Sequence, residues 1–134
     1  MEISVRRDIG ALSEIFEFVD SCSSRYKLDT GVQYSIRLAL EELFTNIVKY
    51  SSSSTKSNIG ISLEKQANRL ILQVTDFNVA AFDIRNVRDA DTNKPLDERK
   101  AGGLGLHLVK RMVDTIDYEY ADGKSKIIMT KFLE

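Results

Sequence analysis

A chain of 134 residues in which 19 Lys and Arg face 20 Asp and Glu has a net charge of −1, with no basic excess to forecast a broad nucleic-acid or membrane surface. Its 43% hydrophobic and 29% charged residues are those of a soluble globular protein, and its one cysteine, Cys22, excludes an intrachain disulfide and suits a reducing compartment. The chain opens on no basic-then-apolar leader and has no apolar run of membrane length, so the expectation is one domain over 1–134, cytoplasmic, with no membrane and no direct nucleic-acid partner.

Met1 to Arg6 alternates Ile3 and Val5 with polar residues and predicts a short edge strand. Asp8 is a suitable N-cap for a helix carrying Leu12, Ile15, Phe16 and Val19 as far as about Cys22, which reads as a packed small hydrophobe. Ser23 to Asp29 is a connection, and Thr30 can cap the next segment. From about Thr30 to Ser51, Val32, Ile36, Leu40, Leu43 and Ile47 form the apolar face of a long amphipathic helix. Glu42, Asn46 and Lys49 stand in a column beside that face, since residues three and four apart are neighbours on a helix. A carboxylate, a carboxamide and an ammonium so arranged suit a magnesium-phosphate ligand; the plain alternative is a solvated flank.

A Ser-rich loop, 51–57, leads to Ile59, Ile61 and Leu63, a strand with one buried face. Residues 66–69 turn the chain into Leu70, Leu72 and Val74, a second strand ending at Asp76, and so short a link predicts an antiparallel hairpin. Periodicity is lost from Phe77 to about Ala101, apart from a short helical turn expected at Phe82 to Arg85, and a stretch of this length inside a compact fold reads as a lid. Gly102, Gly103, Leu104, Gly105 and Leu106 then run into a helix through Val109 and Val113. Glycines before a helix let the backbone approach a ligand, and the helix start offers unpaired N–H groups to phosphate; a flexible helix entry is the alternative. Two strands, Ile116 to Ala121 and Ser125 to Phe132, close the chain around the tight-turn pair Asp122-Gly123. The pattern predicts an α+β fold: a two-layer sandwich of a mixed, mostly antiparallel sheet with helices on one face. His107, inside the helix after the glycines, reads as a packing or surface histidine, and no Cys/His cluster suits zinc.

Three stretches taken together resemble the nucleotide-binding boxes of the GHKL ATPase superfamily, which includes gyrase B, histidine kinases and the bacterial anti-sigma factor serine kinases. They are Glu42-x-x-x-Asn46 with Lys49 and Tyr50, Val74-Thr-Asp-Phe-Asn78, and Gly102-Gly-Leu-Gly-Leu106. The chain has no room for a histidine kinase's dimerisation helices, and its compact form is most similar to the free-standing anti-sigma regulatory kinases. The resemblance implies the Bergerat-type ATP-binding fold, ATP and Mg2+ as cofactors, and a serine kinase acting on an anti-anti-sigma (STAS-type) antagonist while also binding a sigma factor. It implies that Glu42 polarises the attacking hydroxyl, that Asn46 holds magnesium, and that Lys49 and Tyr50 contact phosphate and nucleotide. It implies further that Asp76 accepts from the adenine amino group, that Gly102 to Leu106 wrap the phosphates, that Arg99 neutralises developing charge, and that Ser125 supports the adenine site. The second box departs from the family's Asp-x-Gly by placing Asn78 at the glycine, the residue that best tolerates a left-handed backbone after glycine. A non-catalytic binding module that keeps the fold is therefore the alternative, and an ATPase-like sensor domain paired with a response regulator a third. Family members commonly form homodimers, and apolar residues around Ile15, Phe16 and Phe18 offer either dimer surface or core.

Overall fold

The computed structural model describes residues 1–50, 57–77 and 108–133. The elements run β1 (Glu2–Val5), a 3-10 turn (Ile9–Ala11), α1 (Leu12–Tyr26), α2 (Thr30–Tyr50), β2 (Ile59–Gln66), β3 (Arg69–Phe77), β4 (Thr115–Ala121) and β5 (Lys124–Phe132). Residues 108–112 are helical as well. The lid reading of the stretch after Phe77, the glycine run and His107 fall outside the described residues.

The strands form one sheet in the order β1-β2-β3-β5-β4, and each of its joints is antiparallel. The sheet, expected to be mixed and mostly antiparallel, is antiparallel at each of these joints. β3 and β4 run the same way, but β5 is inserted between them and pairs antiparallel with both. Rows of paired residues cross the sheet, among them Val5–Ile59–Asp76–Ser125 and Ile61–Val74–Ile127. These rows face the same way because paired residues share a side of the pleat. Ile59, Ile61, Leu63, Leu70, Leu72, Val74, Ile127 and Met129 on that side are buried with the helix residues Ile15, Val19, Ile36, Leu40, Leu43 and Phe44 in one core cluster.

The helix boundaries follow from their caps. The Asp8 carboxylate accepts from Gly10 N at 3.2 Å, so it caps a 3-10 turn and α1 begins only at Leu12. α1 runs past Cys22 to Tyr26, because Ser23 is buried and the chain leaves the helix through Lys27, which is left-handed at φ 54. The Leu28 N–H then returns to Ser23 O at 3.0 Å, satisfying a terminal carbonyl. At α2 the cap is Asp29 rather than Thr30: its carboxylate accepts from Val32 N at 2.8 Å, which places it one residue before the first helical turn.

Both hairpins have two-residue turns. Asp122 and Gly123 each have positive φ, as their sequence predicts, whereas the β2–β3 turn places Ala67 at φ 54. Ile15 and Phe18 are core, whereas Phe16 is half-buried beneath the Arg37 guanidinium, 4.1 Å from its ring centroid. Among the described residues no helix is long and apolar enough to cross a membrane.

Candidate functional site

The second half of α2 carries its apolar face through Ala39, Leu40, Leu43, Phe44 and Ile47, all turned into the core. That packing fixes the rotation of the helix and thereby the column beside it. Glu42 is half-buried, Asn46 is buried at 7% exposure, and Lys49 is exposed. Of Tyr50 only the helical backbone is described.

Asn46 stands out on physical grounds. Its Nδ2 atom is inaccessible to solvent and has no hydrogen-bond partner among the described residues. A buried, unsatisfied amide group costs about 1–3 kcal/mol, so a fold selected for stability alone would favour an apolar residue here. One amide oxygen fits magnesium, which keeps most of its water and phosphate ligands and needs few from the protein. Among the described residues no cluster of three His, Cys, Asp or Glu offers an alternative metal site.

In the sheet layer, Asp76 is the last but one residue of β3, faces the core side and is 7% exposed. Its carboxylate is held by Arg7, just beyond β1. Nη1 donates to Oδ2 at 3.2 Å and Nη2 donates to Oδ1. Ser125 lies directly opposite Asp76 on β5, equally buried, and its Oγ is 3.0 Å from the Tyr118 hydroxyl. Phe77 next to Asp76 is on the other face, where Lys124 Nζ stands 5.7 Å from its ring centroid.

The structure therefore gathers Glu42 and Asn46 on one helix flank, and pairs Asp76 with Ser125 across two strands. Asn78, Arg99, Gly102, Gly103, Leu104, Gly105 and Leu106 lie outside the described residues. Arg7 escaped the sequence reading because an arginine after an edge strand gives no local signal; only the partner 69 positions away makes it notable.

Residues 5–131 match the family described as histidine kinase-like ATPase domain. The chain belongs to that family. Among curated relatives it is 31% identical over 103 residues to the serine-protein kinase RsbW of Bacillus cereus strain AH820, covering 74% of this chain and 63% of that one. It is 30% identical over 113 residues to the RsbW of Bacillus cereus strain AH187, covering 78% and 69%. The chain thus spans less than two thirds of the length of the first of these kinases. Among solved structures, the SiaB–SiaC complex of Pseudomonas aeruginosa superposes with a TM-score of 0.64 at 12% identity, over 98% of this chain and 88% of that one. The histidine kinase domain of the Erythrobacter litoralis EL346 blue-light activated kinase does so with 0.58 at 15% identity, over 93% and 61%. At these identities both likenesses speak to the fold, and the histidine kinase-like architecture accounts for a sheet covered on one side by two long helices.

Proposed function

We propose that this chain is an ATP- and magnesium-dependent serine protein kinase of the anti-sigma type, which phosphorylates a small anti-anti-sigma antagonist and regulates a sigma factor by partner switching in the cytoplasm. The observation that carries the reading is the buried Asn46, whose Nδ2 has no partner among the described residues, one helical turn from the half-buried Glu42, in a chain similar to serine-protein kinases named RsbW. Asn46 is the residue that would hold magnesium, and the ion when bound neutralises phosphate charge. Glu42 accepts a hydrogen bond from the substrate serine hydroxyl and orients it, the work of a general base in the low-dielectric margin of the core. Asp76 accepts from the exocyclic amine of adenine, because an ionised carboxylate is an acceptor at both oxygens. Lys49, exposed at the end of α2, supplies positive charge toward phosphate.

The second reading, a binding module without phosphotransfer, draws on Asn78 in place of the family's glycine. Titration with ATP, with and without magnesium, separates the two. The kinase reading expects magnesium-dependent binding below millimolar nucleotide, and transfer of labelled phosphate to a co-purified antagonist that Glu42→Ala abolishes. Absence of binding at millimolar ATP removes it.

A further inference from the structure

We propose that Arg7 is a positioning residue of the nucleotide site: it holds the Asp76 carboxylate in the orientation that selects a 6-amino purine. The inference rests on the nucleotide reading of Asp76 given above and adds a residue from outside the three boxes. Both side chains are about nine-tenths buried, at 8% exposure for Arg7 and 9% for Asp76. Burying a carboxylate is costly unless it is paired, and a guanidinium is the partner whose planar fork matches it. The contact is of that kind, with one donor to each oxygen.

The fork fixes the carboxylate plane, yet it engages one acceptor position on each oxygen and leaves others open. The opposite residue, Ser125, has its hydroxyl at the Tyr118 hydroxyl, 3.0 Å away, and among the described residues it is Arg7 that holds Asp76. The sheet makes this reach possible. Val5, Ile59 and Asp76 form one row, and the chain leaving β1 at Val5 brings Arg7 past the end of β2 to the edge of β3. A lysine there would keep the charge but could grip only one oxygen at a time, freeing the plane to rotate. An acceptor in a fixed plane discriminates an amino group from an oxo group, and such a readout is worth on the order of 5–150-fold in affinity.

The test uses the full chain and compares ATP with inosine triphosphate, whose base carries a 6-oxo group, by competition against a fluorescent ATP analogue in magnesium. The wild type is expected to prefer ATP by about fivefold or more. Arg7→Lys, which keeps the buried charge and therefore the fold, is expected to lower that preference at least about threefold, and Arg7→Met to bring it near unity. Loss of affinity for both nucleotides in equal proportion marks a merely structural Arg7 and overturns the proposal. Tighter ATP binding by the variants overturns it in the other direction, since Arg7 would then be masking the carboxylate. A wild type that binds neither nucleotide removes the nucleotide reading itself and this proposal with it, whereas a wild type that binds both without preference removes only the role of the Arg7–Asp76 pair.

Discussion

Replacing Asn46 with leucine is expected to strengthen the fold while it disables the site. The side chain is 7% exposed, and its Nδ2 finds no partner among the described residues. Removing an unsatisfied buried donor recovers about 1–3 kcal/mol. Leucine also exceeds asparagine in helix propensity by about 0.5 kcal/mol, a gain realised here because the position lies inside α2. Leucine shares the branching of asparagine, but its methyl groups are bulkier, and crowding in a packed interior costs about 1–3 kcal/mol. The unsatisfied group and the propensity together outweigh mild crowding, and the net expectation is a gain of about 1 kcal/mol. Urea unfolding followed by circular dichroism reads this as a midpoint raised by about 0.5 M at unchanged slope, and thermal unfolding as a rise of about 3–5 °C. Magnesium-dependent ATP binding by the same variant is expected to vanish. A variant that unfolds more than about 1 kcal/mol earlier than wild type, at unchanged slope, would refute the reasoning, because the amide would then be a satisfied structural group. Retained magnesium-dependent binding would refute the assignment of the residue.

Asp29→Ala removes the α2 cap seen at 2.8 Å and is expected to lower stability by about 1 kcal/mol, measured by urea unfolding. Thr30→Ala, which removes no cap, should leave it within about 0.5 kcal/mol in the same measurement. Lys27→Gly relieves a left-handed backbone at φ 54 and is expected to raise stability by up to about 1 kcal/mol in the same measurement, since glycine bears no Cβ penalty there. Burial pushes the Cys22 thiol up to about 11, from an ordinary value of 9.0. Its contribution to stability is therefore fully present below about pH 9 and is lost as pH rises toward 11, where the unfolded chain ionises and the folded one does not. A disulfide reagent at pH 8 should accordingly label Cys22 only in urea, and a fast reaction with the native protein would contradict its burial.

The helices and strands were legible because each buries one face. Leu40, Leu43 and Ile47 recur at the helical period, and Ile59, Ile61 and Leu63 at the period of a strand, so α2 and β2 could be read locally. The tight turn at Asp122-Gly123 was legible for a similar reason, as its residue types accept positive φ without strain. The caps were less so. Asp29 and Thr30 are both good N-cap residues, and the choice depends on which side chain meets a free N–H once the chain has turned out of α1.

By itself the sequence determined the spacing of Glu42 and Asn46, since a helix places residues four apart on one flank whatever surrounds it. It also determined that β2 and β3 pair as a hairpin, because a two-residue link leaves no other arrangement. Only the tertiary structure decided that β5 inserts beside β3, which sets Ser125 opposite Asp76, and that Arg7 reaches that carboxylate from beyond the first strand. Long-range pairing depends on which apolar faces close on one another and on where the sheet delivers each backbone, and neither is written in the neighbours of a single residue.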